Sequence, residues 1–215
     1  MDTTPGALPS RSLAWLTEWL AEDIVAAEAR SLAAELGIAC VDPMTASTLR
    51  WLATSTSAKA IVEIGTGAGV STLHLARGMA EDGILTSIDV DGDTQRTAKA
   101  MLSDAGFAPS RIRMIFGRAL EVMPRLTDGG YDLVVCDGSP TEAGACLEQA
   151  ARLLRPGGVV ALVDALGSGF RVTDPAAREP EVVSLRAALK SIAEDERWTA
   201  TVLPVGSGLL VASRV

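Results

Sequence analysis

The segment that most constrains the fold is a glycine-rich stretch at residues 61–69, Ile-Val-Glu-Ile-Gly-Thr-Gly-Ala-Gly. A short apolar run leads directly into Gly65, Gly67 and Gly69, and a segment with helical spacing follows. A buried strand that turns into a helix opens an α/β sheet, in which ligands bind outside the carboxyl ends of the strands. Glycines at such a turn let the backbone approach a ligand without an intervening Cβ. The stretch therefore predicts both the fold class and the position of a ligand site.

The remainder of the chain supports an α/β fold, because apolar runs of strand length alternate with helical segments. The predicted strands lie at 60–64, 84–88, 112–115, 131–136 and 159–163. This alternation indicates a central, mostly parallel sheet with helices on both faces. After the last predicted helix, residues 199–205 and 208–213 are predicted to form a C-terminal antiparallel hairpin.

The length of the chain sets its domain organisation. A chain of 215 residues can bury one substantial core but is too short for two large domains. We expect a flexible tail at 1–11, an N-terminal helical lead at 12–56 and a Rossmann-like core at 60–215.

In the lead, Trp15 and Trp19 lie one helical turn apart beside Leu16 and Leu20. Because this is more apolar surface than one helix needs, we expect a homodimer.

Composition excludes several classes of function. The net charge is −8, and an acidic chain repels a phosphate backbone, so nucleic acid is not an expected partner. The three cysteines form no CxxC pair and the chain has a single histidine, so thiolate and imidazole ligands cannot assemble a zinc site. A secretion signal and an apolar run of about 18 residues are both missing, so we expect a cytoplasmic protein with no membrane partner.

The spacing of the glycines distinguishes between two kinds of cofactor. Dinucleotide-binding turns follow G-x-G-x-x-G, whereas here the order is G-x-G-x-G and Val70 occupies the third glycine position. Glu63, two residues before Gly65, would oppose a pyrophosphate but could offset the positive charge of a sulfonium or amino group. The pattern favours S-adenosylmethionine, and a nicotinamide-dependent oxidoreductase stays open as the alternative.

Three aspartates are expected at the carboxyl edge of the sheet. Asp89 ends the second predicted strand, where an acid binds ribose hydroxyls, although a turn or helix-capping role is the alternative. Asp137 ends the fourth strand and Asp164 follows the fifth. Two carboxylates on adjacent strand tips could bind a divalent cation such as Mg²⁺, and helix capping is again the alternative.

Together these motifs resemble the class I S-adenosylmethionine-dependent O-methyltransferases of the catechol and caffeoyl-CoA type, a cation-dependent family. The resemblance covers roughly residues 12–215. It is carried by the stretches at 62–67, 88–90, 117–120, 131–137 and 154–159.

The resemblance implies an acceptor that is a small hydroxylated molecule, catechol-like or otherwise phenolic. It also implies that Asp137 lies between donor and acceptor as the catalytic residue, and that Asp137 and Asp164 bind the metal. Ala165 replaces the asparagine expected as a third ligand, and Pro140 replaces a lysine that acts as acceptor base in many members. A protein that binds S-adenosylmethionine without catalysis is therefore a further alternative. The implied cofactor-binding residues are Val41, Glu63, Gly65, Thr66, Gly67, Ser71, Asp89, Val90 and Ala119.

Overall fold

The computed structural model describes residues 10–215, which fold around one seven-stranded sheet. The strand order is β3-β2-β1-β4-β5-β7-β6; β1 to β5 are parallel, and β7 runs antiparallel to both of its neighbours. The predicted α/β class, mostly parallel sheet and C-terminal hairpin are confirmed. The strands are β1 Ala60–Ile64, β2 Ile84–Asp89, β3 Ile112–Phe116, β4 Tyr131–Cys136, β5 Leu154–Leu162, β6 Trp198–Leu203 and β7 Leu209–Arg214.

Helices precede the sheet and connect its parallel strands. Asp23, Asp42 and Asp91 cap three of them by accepting hydrogen bonds from backbone N–H groups of the first turn. Of the helices described here, none is long and apolar enough to cross a membrane. They are α1 Ser10–Trp19, α2 Ile24–Glu35, α3 Pro43–Ser55, α4 Val70–Gly78, α5 Gly92–Asp104, α6 Ala119–Val122, α7 Ala143–Leu153 and α8 Pro180–Glu194.

The central strand β4 shows why helices cover both faces of the sheet. Its apolar side chains alternate between two buried clusters. Val134 and Cys136 join the cluster that includes α7 and α8, whereas Leu133 and Val135 join the one formed with α2 to α5. Both sides of the strand are thus buried, as its uninterrupted apolar sequence predicts.

Two element boundaries differ from the sequence-based expectation. Strand β5 begins at Leu154 instead of residue 159, because Leu154 pairs with Tyr131 before the register shifts. The segment between β5 and α8 contains a short 3₁₀ turn, Ser168–Thr173. Ser10 and Arg11, assigned to the tail, belong to α1, while the rest of the predicted tail lies outside the described residues.

The tryptophans of α1 do not belong to the core. The exposed fraction is 60% for Trp15 and 68% for Trp19. Leu13 and Ile24 are also exposed large apolar residues of this region. The N-terminal lead therefore presents an apolar surface that the rest of the described chain does not cover.

Candidate functional site

The site lies at the point in the sheet where successive strands change from one side of β1 to the other. Strands β2 and β3 extend from one side of β1 and β4 lies on the other, so the loops after β1 and β4 diverge at this point. Such a switch point is the usual ligand site of an open α/β sheet. Backbone hydrogen bonds hold the end of β1 to both of its neighbours. Gly65 N donates to Ile88 O of β2, and Asp137 N, which follows β4, donates to Ile64 O of β1, both at 2.9 Å.

The glycine turn after β1 needs glycine for two separate reasons. Gly65 and Gly69 have φ of 93° and 89°, a region that side chains disfavour. A Cβ on Gly65 would lie 2.1 Å from the carbonyl oxygen of Asp137, and a Cβ on Gly69 would lie 2.9 Å from the Cβ of Ala98 in α5. The first glycine thus allows close contact between two strand tips, and the third allows α5 to pack on the turn.

Two adjoining cavities open at this edge of the sheet. The first has a volume of about 550 Å³ and contains Val41, Gly65, Thr66, Gly67, Ser71, Asp89, Asp137 and Asp164 among its lining residues. The second, of about 380 Å³, is lined in part by Val90 and Ala119. Gly65, Asp89 and Gly138 line both. Every residue predicted to bind cofactor or metal therefore lies in one of the two walls, with the exception of Glu63.

Asp89 lies at the junction of the two cavities. Its Oδ2 accepts a hydrogen bond from Gly67 N, and its Oδ1 accepts one from Asp91 N, both at 2.9 Å. The helix-capping alternative applies to Asp91, which caps α5, whereas Asp89 does form part of the turn. Its carboxylate thus anchors the glycine turn while facing the ligand space.

Glu63 lies beneath the floor of the first cavity and is fully buried. Its carboxylate accepts hydrogen bonds of 2.6 Å from the hydroxyls of Ser71, Thr72 and Ser87. Burial raises the pKa of Glu63 to about 7, and the hydroxyls oppose that rise because they stabilise the charged form. Of these hydroxyl residues, Ser71 also lines the cavity.

Two carboxyl groups at the tips of β4 and β5 have raised pKa values. Burial and then the neighbouring charge of Asp164 raise the pKa of Asp137 to about 7. Burial also raises the pKa of Asp164, against hydrogen bonds from Ser207 that lower it. Asp164 adopts a φ of 50°, a strained conformation for a residue other than glycine. Pairs of acids with perturbed pKa values in a cleft are typical of functional sites.

Sequence reasoning missed part of the cavity wall. Asp42, Gly206 and Ser207 all line the first cavity, although they come from the start of α3 and from the loop between β6 and β7. A Cβ on Gly206 would lie 2.5 Å from Oδ2 of Asp42, so the two segments are in close contact. The Asp-Pro pair before α3 is the one local signal among these residues. It predicts a helix cap and does not indicate a ligand site.

Arg30 of α2 forms a hydrogen bond with the backbone of Val41, a residue of the cavity wall. Arg30 Nη1 donates to the carbonyl oxygen of Val41 at 2.5 Å. The same guanidinium donates two hydrogen bonds, of 2.8 and 2.6 Å, to the carboxylate of Glu22. The N-terminal helices are thus connected to the cavity wall through one charged group.

The acceptor side of the site departs from the metal-binding pattern expected of it. Ala165 is fully buried in the apolar core, where it supplies no oxygen, and Pro140 lines the first cavity in place of a basic side chain. Within residues 10–215, no group of three or more His, Cys, Asp or Glu side chains is arranged to hold a metal ion. The residues present therefore do not fit a complete metal shell.

Comparison with other sequences identifies relatives over nearly the whole chain. A model of the O-methyltransferase family matches residues 17–215. A protein of Mycobacterium sp. (strain JLS), provisionally named an O-methyltransferase, is 47% identical over 99% of this chain and 98% of its own length. A Mycobacteroides abscessus protein with the same provisional name is 49% identical over 91% of this chain and 90% of its own length.

Solved structures show the same architecture. An O-methyltransferase from Bacillus cereus, in complex with S-adenosylhomocysteine, has a TM-score of 0.85 and 26% identity, covering 94% of this chain and 96% of its own. TomG from Streptomyces achromogenes, an O-methyltransferase of tomaymycin synthesis in complex with S-adenosylmethionine, has a TM-score of 0.86 and 27% identity. That match covers 97% of this chain and all of TomG.

Proposed function

Because this chain belongs to the O-methyltransferase family, we propose specific roles for the residues of its two cavities. The protein is an S-adenosylmethionine-dependent O-methyltransferase. Neither of the earlier alternatives, a nicotinamide-dependent oxidoreductase or a binding protein without catalysis, is supported by its relatives. What we propose is how the donor is held, which group assists the reaction and what kind of molecule accepts the methyl group.

In this proposal the donor spans both cavities. The main support is that Gly65 and Asp89 line both of them. Asp89 binds the ribose hydroxyls at the junction, while Val90 and Ala119 contact the adenine in the second cavity. The amino-acid end lies in the first cavity, against Val41, Gly65, Thr66, Gly67 and Ser71. Glu63 supports this end from below without contacting it.

The proposed reaction is an in-line displacement at the methyl carbon. The acceptor oxygen attacks the methyl carbon as the carbon–sulfur bond breaks, and the bonding electron pair passes to sulfur, which becomes neutral. The proton of the acceptor hydroxyl passes to Asp137, which directly follows β4 and lines the first cavity. A pKa raised to about 7 suits this carboxylate to the task, since a general base is most effective when its pKa is near the working pH.

The acceptor in this proposal is a small hydroxylated molecule, catechol-like or otherwise phenolic. The residues that line the first cavity include Asp42, Asp89, Asp137 and Asp164, and none of them is Lys, Arg or His. A wall of this charge disfavours a phosphate backbone, which supports a small molecule over a nucleic acid.

A cytoplasmic location and the division into a lead at 12–56 and a core at 60–215 stay predictions.

Asp89→Ala tests the proposed donor site. We expect the dissociation constant of S-adenosylhomocysteine to rise by roughly 5- to 150-fold, because ribose hydroxyls lose a charged partner worth about 1–3 kcal/mol. Isothermal titration calorimetry measures the change. Asp91→Ala removes a nearby acid that caps α5 but does not line either cavity, and it should leave the affinity close to that of the unmodified protein. Equal affinities for the Asp89 variant and the unmodified protein would contradict the ribose assignment.

The metal requirement follows from Ala165. With the amide oxygen replaced by a buried methyl group, Asp137 and Asp164 offer only two carboxylates, so we expect Mg²⁺ to bind weakly and to stimulate activity at most partly. Methyl transfer to a catechol-type acceptor is measured with a chelator and then with Mg²⁺ or Mn²⁺ restored. Activity that depends completely on micromolar metal would overturn this expectation.

A homodimer built partly on α1 is also proposed. The exposed Trp15 and Trp19 support it, because large apolar side chains grouped on one helix commonly mark an interface. Light scattering at micromolar protein concentration should give twice the mass of one chain. The double variant Trp15→Ser, Trp19→Ser should shift the protein toward the monomer, and a monomeric unmodified protein would exclude this arrangement.

A further inference from the structure

We propose that a groove between α5 and β3, at one outer edge of the sheet, binds a small aromatic carboxylate whose ring carries a hydrogen-bond donor. This edge groove has a volume of about 350 Å³ and is lined by Gly92, Gln95, Arg96, Lys99, Met114 and Phe116. None of these residues lines either cavity of the candidate methyl-transfer site. The edge groove is therefore separate from the space for donor and acceptor.

The edge groove is open because β3 is an outer strand. Among the described residues, β3 pairs with β2 alone. Positions 112, 114 and 116 of β3 share one face of the strand, since side chains alternate between faces. A smaller cavity of about 80 Å³ shares Lys99 and Met114 with the groove and extends to Phe107 and Ile112. The strand side of this space is thus apolar, and α5 supplies its polar groups.

Phe116 gives the edge groove a surface for a flat ring. The exposed fraction of Phe116 is 69%, although it is the last residue of a strand. A Cβ on Gly92 would lie 3.4 Å from Cδ2 of the phenyl ring, so the first residue of α5 is close to this ring. Ligand sites combine such aromatic surfaces with a few polar groups that fix orientation. An aromatic ligand can therefore stack on Phe116.

Gln95 supplies one polar group with a fixed direction. Its Nε2 donates to Thr66 Oγ1, Ser87 O and Ile115 O at 3.2, 3.4 and 3.2 Å. Two of these acceptors are backbone carbonyls, which cannot donate, so the amide nitrogen must lie on that side. The other amide atom, Oε1, accepts no hydrogen bond from the described residues, although Gln95 is only 5% exposed.

The free Oε1 of Gln95 indicates what the ligand must offer. This oxygen is not among the polar atoms that the described residues seal from solvent, and the edge groove is the space that Gln95 lines. A buried carbonyl oxygen without a partner loses free energy, and a ligand N–H or O–H would restore its hydrogen bond. We therefore expect the ring on Phe116 to carry a donor.

Lys99 supplies the charge that selects a carboxylate. Of the three lysines, Lys59 and Lys190 form ion pairs with acidic side chains, whereas Lys99 forms none with the described residues. The other cation of the groove, Arg96, pairs with Asp93. Arg96 thus already has an anionic partner, and Lys99 is the group that can attract a ligand anion. On a chain of net charge −8, this is a local exception.

The test titrates three probes into the protein saturated with S-adenosylhomocysteine, so that the donor site is filled. Indole-3-acetate has a flat ring, a ring N–H and a carboxylate. 1-Naphthaleneacetate keeps the carboxylate and a similar ring but has no N–H. Indole-3-acetamide keeps the ring N–H but carries no charge. Chemical shifts of the backbone amides give the dissociation constants and identify the residues that respond.

We expect indole-3-acetate to bind with a dissociation constant of about 1 mM or below, as a ligand of this size does in an open groove. Signals from residues 92–99 and 114–116 should shift. Each of the other two probes should bind roughly 2- to 10-fold more weakly, because each lacks one polar contact. Equal affinity for the three probes would show that neither Gln95 nor Lys99 recognises the ligand, and the proposal would be wrong.

Variants of the exposed residues assign the contacts. Lys99→Gln should weaken indole-3-acetate to about the affinity of indole-3-acetamide and leave the acetamide unchanged, since only the carboxylate loses a partner. Lys190→Gln removes the same charge from α8 and should change neither affinity. Phe116→Ala should weaken all three probes by at least about threefold. If Lys99→Gln had no larger effect than Lys190→Gln, the carboxylate would not lie at Lys99 and the proposal would fail.

Two further outcomes would assign the probe or the groove differently. Shifts confined to residues of the first two cavities would show that the probe binds in the methyl-transfer site, and the proposal would be wrong. If Phe116→Ala lowered the mass measured by light scattering, a second copy of the chain would cover the edge groove. That result would overturn the proposal as well.

Discussion

Replacing Gly65 with alanine is expected to destabilise the protein by more than about 4 kcal/mol and to abolish donor binding. The added Cβ would lie 2.1 Å from the carbonyl oxygen of Asp137, which belongs to the backbone and cannot rotate away. The tip of β1 would have to separate from that of β4, which breaks the hydrogen bond between Asp137 N and Ile64 O. Because both cavities include Gly65, the same movement would distort the whole ligand site.

Gly106→Ala is the matched control for this prediction. Gly106 has a φ of 86°, close to that of Gly65, but a Cβ there would meet no atom within 4 Å. The control therefore carries the backbone penalty, roughly 1–2 kcal/mol, without the clash. Chemical denaturation of the two variants gives the difference directly. If Gly65→Ala lost no more stability than Gly106→Ala, the close contact between the two strand tips would not exist in solution.

Asp137→Asn is expected to lower the turnover number by about 10²- to 10⁴-fold, the range typical of a lost general base. Asparagine has the shape of aspartate but cannot take up the acceptor proton. The affinity for S-adenosylhomocysteine should stay within about fivefold, since the proposed donor contacts are made by other residues. Steady-state kinetics with a catechol-type acceptor, together with calorimetry, separates the two effects. Turnover within a factor of three of the unmodified enzyme would exclude Asp137 as the base.

The stability of the Asp137 variant has an expected sign as well. The pKa of Asp137 in the folded protein, about 7, exceeds its ordinary value of 3.8. Its contribution to stability is therefore greatest at low pH and is lost as the pH rises from the ordinary value through about 7. At pH 8 the neutral asparagine should make the fold at least as stable as aspartate does. Preserved stability together with a large loss of turnover would show that Asp137 serves catalysis and not folding.

Much of the donor side of the site could be predicted from the sequence because it is encoded locally. The strand, the glycines and the following helix are contiguous, so spacing alone predicts the positions of Gly65 and Gly67, whereas Ser71 is implied only by the resemblance to the family. Asp89 and Asp137 could be placed because parallel strands end at a common edge. This placement at the carboxyl edge of the sheet does not depend on which strands are neighbours.

The remainder depended on contacts between distant segments. Asp42 and Ser207 meet in one cavity although the chain between them spans most of the fold, and no periodic pattern relates them. The position of Glu63 below the cavity floor could not be read from its place in the motif either. It depends on hydroxyls from α4 and β2 that surround the carboxylate. The start of β5 was misplaced because one early pair precedes a register shift.

The bridge from Glu22 through Arg30 to Val41 links ligand occupancy to the N-terminal helices. A donor that contacts Val41, as proposed, contacts a segment whose carbonyl accepts a hydrogen bond from Arg30, so we expect donor binding to make α2 more resistant to local unfolding. Such a coupling is reciprocal, so we expect an interaction that stabilises α2, such as the proposed second subunit, to tighten donor binding by the same free energy. Amide hydrogen exchange in α2 is therefore a reporter of cavity occupancy at a distance from the reacting atoms.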